Sequence, residues 1–152
     1  EGEPSMARAG WVLLRATSSA LFGTSFARHL TAAMPVEVEV DGVMWPDLGF
    51  MTVPAGTVDD IGLGFRAFPR APSADGQFEV LGIGCGAAAL ALQLPRFYRG
   101  LGSSHPRILS SLASKMVLRS AEPIPCMIDG DPYPGGNEVT VRVARSVTFA
   151  VP

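Results

Sequence analysis

Val36-Glu37-Val38-Glu39-Val40-Asp41-Gly42-Val43-Met44-Trp45 sets the fold class. Val and Glu alternate from Val36 to Val40, which puts apolar side chains on one face of a strand and carboxylates on the other. Asp-Gly then supplies the left-handed backbone of a tight hairpin turn, and a second apolar run returns. Working outward, Leu48 to Pro54, Gln77 to Gly84, Lys115 to Arg119, Pro125 to Ile128, Glu138 to Val143 and Val147 to Val151 are further expected strands, and Pro106 to Ser114 is a short segment between them. Pro134-Gly135-Gly136-Asn137 is expected to turn a hairpin. Two stretches carry helical spacing: Met6 to Thr31, with Trp11, Leu14, Leu21 and Phe22, and Ala87 to Phe97. Gly23-Thr24 is an expected break in the first. Strands outnumber helices and are joined by short turns, so the sheets should be antiparallel. The expected fold class is mainly β with a few helices (α+β), an antiparallel β-sandwich with helical decoration, in one domain over residues 1–152.

The chain has 152 residues, 47% of them hydrophobic and 17% charged, which is enough apolar material for one domain with a core. Twelve Lys and Arg against fourteen Asp and Glu give a net charge of −2, and Lys115 is the single lysine. The basic residues are scattered rather than striped, so no nucleic-acid partner is expected. Two cysteines, Cys85 and Cys126, and two histidines, His29 and His105, are too few for a disulfide framework or a zinc centre. Both cysteines lie in apolar runs and read as buried side chains. The segment from Trp11 is interrupted by Arg15 and has no signal-peptide cleavage site, and no stretch is long enough for a membrane span. The expected location is cytoplasmic, with peripheral membrane contact through the apolar N-terminal segment as a further option.

Several motifs suggest chemistry and are weakened by what is missing around them. Gly82-Ile83-Gly84-Cys85-Gly86-Ala87 fits a dinucleotide fingerprint between a strand and a helix. However, no Asp or Glu follows until Glu122, and the parallel βαβ alternation is absent, so the glycines read as a tight strand-to-helix junction. Lys115 has no glycine run before it, which excludes a Walker loop. Ser103-Ser104-His105 has nothing nearby to orient the imidazole, and these residues read as polar side chains at the surface. Asp59-Asp60 reads as a solvated turn or cap, and Arg66 and Arg70 just beyond it could steer a phosphate. Two acidic turns remain: Asp75-Gly76-Gln77-Phe78-Glu79-Val80 and Met127-Ile128-Asp129-Gly130-Asp131-Pro132. Each sets a carboxylate beside an expected strand end, where a pair could hold a metal ion and activate a hydroxyl.

The run from Ile61 to Val80, with its glycines, Pro72 and Asp-Gly-x-hydrophobic-acidic-Val, resembles a segment of the diacylglycerol-kinase-like lipid kinases. Ser104-His105-Pro106 is similar to the loop that follows in that family. Ile128-Asp129-Gly130-Asp131 is similar to its Asp-Gly-Glu turn, and Val147 to Val151 to its closing strand. The resemblance runs in order from about Val36 onward and covers the C-terminal half of such enzymes. It implies the β-sandwich of the NAD kinase/diacylglycerol kinase-like fold, on the substrate side of the active site. The family's nucleotide-binding half carries Gly-Gly-Asp-Gly-Thr, a run not found in this chain, so that N-terminal domain is expected to be absent from it.

By this resemblance the activity is ATP-dependent phosphoryl transfer to a hydroxyl of a lipid such as diacylglycerol or a sphingoid base, the isolated fragment being inactive. Asp75 would contribute to a Mg²⁺ site with the backbone carbonyls of Pro72 and Gln77, an oxygen donor set that suits this ion. Asp131 would be the general base at the position of the family's glutamate, one methylene shorter, and Asp129 would shape the turn. ATP is the implied co-substrate, bound mainly by the other domain, and the implied partners are that domain and a lipid at a membrane surface. The alternatives are a non-catalytic β-sandwich that binds lipid or protein and, less favoured by the motifs, phosphorylation of a soluble nucleotide such as NAD.

Overall fold

The computed structural model describes residues 33–62 and 64–144. The helical segment expected at 6–31 and the strand expected at 147–151 lie outside the described residues. Within them, β1 (Val36–Val40) and β2 (Val43–Met44) form the expected hairpin. Asp41 and Gly42 adopt φ of 47° and 84°, the paired left-handed residues of a primed turn. β3 (Ala55–Gly56), β4 (Phe78–Ile83), β5 (Ile108–Ala113), β6 (Lys115–Ser120), β7 (Cys126–Ile128), β8 (Asp131–Tyr133) and β9 (Glu138–Arg142) follow, with one helix, α1 (Ala87–Tyr98). Every strand pairing is antiparallel. The strands form a four-stranded sheet in the order β2-β1-β6-β9, a three-stranded sheet β3-β4-β5 and the ribbon β7-β8.

The strand period explains how these sheets stack. Val36, Val38 and Val40 of β1 and Met116 and Leu118 of β6 are buried against Phe78 and Val80 of β4, with Phe50 and Ile124 filling between them. That is the sandwich core. Leu81 and Ile83 alternate to the opposite face of β4 and join a second core with Ala67, Phe68, Ala71, Phe97 and Ile108, covered by α1 and the loop before β4. β4 is therefore buried along its whole length, the pattern of a strand packed on both sides. The outer face of the larger sheet carries Arg119, which bridges Glu39 at 2.8 Å and Glu138 at 3.0 Å on the two flanking strands. Both bonds raise the arginine's pKa above its ordinary value.

β5 and β6 belong to different sheets and are separated by Ser114 alone. The Asp41 carboxylate holds this corner by accepting the backbone N–H groups of Ser114 at 3.1 Å and Lys115 at 2.8 Å. One Asp-Gly turn thus also fixes the crossover between the sheets.

Two expectations need correction. Leu48 to Pro54 is not a strand. Gly49 turns at φ 60° and Pro54 has no N–H, so only separate bonds tie the segment to β4: Met51 N–H to Ile83 O, Ile83 N–H to Thr52 O and Leu81 N–H to Pro54 O. Pro134 to Asn137 does not turn a hairpin either, because β8 pairs with β7 whereas β9 pairs with β6. The segment instead carries the chain from the ribbon to the larger sheet, running beside residues 120–124 through Ser120 N–H to Asn137 O and Ile124 N–H to Gly136 O. Gly135 crosses so closely that a Cβ there would lie 1.6 Å from the Ile124 carbonyl oxygen.

Candidate functional site

A cavity of about 1230 Å³ opens between the loop before β4, one side of α1 and the end of β9. Leu90, Leu94 and Phe97 line it from α1, a stripe at helical spacing, while Leu92 on another side of the helix is exposed. Phe65, Phe68, Leu81 and Ile83 add further apolar wall. Two of the turns singled out in the sequence reach this cavity. Gly76 and Gln77 line it just before β4, and Asp129 and Gly130 line it at the tip of the β7-β8 ribbon. Asp129 and Gly130 have φ of 51° and 93°, so the tip is a second primed Asp-Gly turn. The structure thus brings the neighbourhoods of the two acidic turns to one hollow.

The candidate residues differ in what holds them. Asp131 pairs with Ile128 in the ribbon, is exposed, and is not part of the cavity wall. Asp75 is exposed in the turn with Gly76 (φ 68°) and takes part in no ion pair among the described residues. Pro72 lies in the 3-10 turn Ala71–Ser73, and Gln77 donates its N–H to the Ala74 carbonyl at 3.2 Å. Among the described residues no three His, Cys, Asp or Glu side chains gather as metal ligands. Pro72, Asp75 and Gln77 fall within six residues of one loop, and one carboxylate with two backbone carbonyls is a donor set of the chemistry that a hard cation takes, with water completing the shell.

Both candidate arginines are engaged. Arg66 meets Asp59 through Nε at 2.8 Å and through its terminal nitrogen at 2.6 Å. This hydrogen bond holds the Asp59 carboxyl below the ordinary aspartate range. Asp60, beside it, accepts the Gly62 N–H at 2.7 Å and lines the cavity. Arg70 is bound to Glu79, whose side chain is 2% exposed and is the buried charged residue of the described chain. Glu79 Oε2 accepts the Arg70 backbone N–H at 2.8 Å, and Oε1 accepts Arg70 Nε at 2.9 Å and the Ser110 hydroxyl at 2.7 Å. In the sequence Glu79 stands inside the Asp75–Val80 motif with no expected role of its own. The signal available was a lone carboxylate within the apolar run Phe78-Glu79-Val80-Leu81, which has to find a cation if the strand is buried on both sides.

The motifs set aside in the sequence have structural explanations. A Cβ at Gly82 would lie 2.7 Å from Phe50 and Trp45, and one at Gly84 would lie 2.9 Å from Leu48, so these glycines admit side chains rather than a pyrophosphate. Cys85 is buried and burial pushes its thiol pKa up, whereas Cys126 is only half-buried. Ser103 and Ser104 donate their hydroxyls to Gln93 Oε1, and His105 Nδ1 accepts the Arg107 N–H, so serine and imidazole do not form a nucleophile–base pair. No helix of the described residues is long and apolar enough to cross a membrane.

Comparison with known proteins agrees with this architecture. A crystal structure from Bacillus anthracis str. Sterne assigned as a diacylglycerol kinase superposes with a TM-score of 0.56 at 15% identity, over 83% of this chain and 40% of that one. A second diacylglycerol kinase structure from the same organism gives a TM-score of 0.50 at 16% identity, over 78% of this chain and 43% of that one. The chain therefore spans well under half the length of these neighbours, and at such identity the likeness is one of fold. No curated protein sequence matches it. Residues 11–147 match the family described as the YegS C-terminal NAD kinase beta sandwich-like domain, and the chain belongs to that family.

Proposed function

We propose that this chain is the substrate-side domain of an ATP-dependent lipid kinase, and that the cavity receives the lipid. The observation that carries the reading is the meeting of the Gly76-Gln77 and Asp129-Gly130 turns on one largely apolar cavity. Apolar walls from α1 and the Phe65–Phe68 loop suit acyl chains, and acidic turns at the rim suit the hydroxyl end, which must stay near water until it reacts. In this reading Asp131, on the ribbon whose tip lines the cavity, accepts the proton of the attacking hydroxyl. Asp75, with the carbonyls of Pro72 and Gln77, holds Mg²⁺ beside the same rim. Arg66 and Arg70, each about half exposed at 47% and 48%, keep part of a guanidinium edge available to a phosphate. When bound, Mg²⁺ and ATP supply charge neutralisation and the transferred phosphoryl group. ATP is held by a nucleotide-binding partner domain.

Two experiments test this. The isolated chain, given ATP, Mg²⁺ and diacylglycerol, is expected to form no lipid phosphate, and appreciable product from the pure chain would refute the division of labour. In the complete gene product, Asp131→Asn is expected to lower transfer by about a hundredfold or more with circular dichroism unchanged. Undiminished turnover would remove Asp131 from the mechanism. A second reading, a non-catalytic lipid- or protein-binding module, is favoured by the exposed Met127, Ile128 and Tyr133 on the ribbon. A complete gene product that binds diacylglycerol but never phosphorylates it would decide for that reading.

A further inference from the structure

Residues 70–79 form a closed loop. It starts at Arg70, makes the 3-10 turn Ala71–Ser73, turns again at Asp75-Gly76, and enters β4 at Phe78. Inside it, Ser73 N–H and the Ser73 hydroxyl both donate to Arg70 O, Ala74 N–H donates to Ala71 O, and Gln77 N–H donates to Ala74 O. The neck is closed by Glu79, whose carboxylate reaches back across nine residues to the Arg70 backbone N–H and side chain. Ser110 on β5 locks this neck from the side: its hydroxyl donates to Glu79 at 2.7 Å and accepts from the Arg70 terminal nitrogen at 2.5 Å. One carboxylate thus accepts three hydrogen bonds, and all the oxygen donors assigned to Mg²⁺, at Pro72, Asp75 and Gln77, lie inside the loop it closes.

We infer that Glu79 is a positioning residue for that cation: through Arg70 and Ser110 it fixes the relative placement of the Asp75 carboxylate and the two carbonyls. The inference rests on the reading of Asp75 as a metal-holding residue. Burial supports it. A carboxylate with 2% exposure costs free energy unless its bonds are fully made, and no buried side-chain oxygen or nitrogen in the described residues lacks a partner. An isolated ion pair needed only for solubility would sit at the surface, as Arg119 does with Glu138. A buried, three-bond clamp at a loop neck restricts where the loop can go. Groups that orient metal-holding side chains from behind act in this way.

The test is Mn²⁺ binding to the complete gene product without nucleotide, followed by the electron paramagnetic resonance signal of free Mn²⁺. Four variants are compared at a temperature where each stays folded by circular dichroism. Asp75→Asn is expected to remove the site. Glu79→Gln, which presents an amide N–H where the Arg70 donors need an acceptor, is expected to raise the dissociation constant about tenfold or more. Ser110→Ala, which keeps the charge pair and loses only the side lock, should raise it by a smaller factor, and it decides the matter alone if Glu79→Gln does not fold. Val38→Ala destabilises the other core and should leave the constant unchanged. Glu79→Gln and Ser110→Ala constants within about twofold of wild type, with Asp75→Asn still effective, would overturn the clamp while the metal reading stands. Equal weakening by Val38→Ala would overturn it as mere destabilisation. If Asp75→Asn changes nothing, the metal reading itself fails and the clamp's role fails with it.

Discussion

Gly135 and Gly136 are neighbours with opposite tolerance for a side chain. A Cβ on Gly135 would collide with the Ile124 carbonyl, a backbone atom that cannot swing aside, whereas one on Gly136 would meet Glu138 O at an ordinary 3.6 Å. Gly135→Ala is therefore expected to cost about 3 kcal/mol or more, and Gly136→Ala about 0.5 kcal/mol at most, as measured by urea unfolding. Asp59 gives a pH-dependent counterpart. Its folded pKa is depressed by Arg66, so its stabilising contribution is present above the unfolded value and lost as pH falls through the folded value. Asp59→Asn should thus lower the urea midpoint at neutral pH, and variant and wild type should converge only as the pH falls below the folded Asp59 value, itself under the ordinary aspartate range. Neither effect could be read from residue types alone. Pro-Gly-Gly-Asn signals a bend whatever it joins, and only the partner strands reveal that Gly135 serves a crossing.

At the scale of elements, regular patterns were legible and irregular ones were not. The alternation of Val36 to Val40, the Asp41-Gly42 turn and the span of α1 carry their periods in the sequence and appear as expected. Leu48 to Pro54 has the apolar content of a strand, yet Gly49 and Pro54 deny it a continuous ladder. It is still core. Phe50 is 1% exposed and packs against Trp45 at a centroid distance of 6.1 Å. Phe50→Ala is accordingly expected to cost about 3–5 kcal/mol, comparable to Phe97→Ala in the second core, by chemical denaturation. Equal costs would show that burial, not regular secondary structure, sets this segment's share of stability. The Glu79 clamp escaped sequence reasoning for a related reason. Arg70 and Ser110 lie on either side of it in the chain, and only the β4–β5 register and the loop closure bring them together.

At the scale of the molecule, the sandwich and the cavity beside it share one wall. The acidic turns were visible as motifs, but the apolar stripe that faces them, Leu90, Leu94 and Phe97, is indistinguishable in sequence from ordinary core. Leu94→Arg offers a direct test of that stripe. It is half-buried at the cavity, and the charge should weaken binding of dioctanoylglycerol by about tenfold or more while far-ultraviolet circular dichroism stays unchanged. Unaltered affinity would place the lipid elsewhere. The shared wall is β4, hemmed in on both sides and bonded to β5 along its length. Its amide protons should exchange with deuterated solvent only when both cores open together, and β4 is therefore expected to exchange slowest among the described residues. The strand is thus an internal gauge: any occupant of the cavity that stabilises the intact molecule retards those protons in proportion to its binding constant, so occupancy can be followed with an unlabelled ligand.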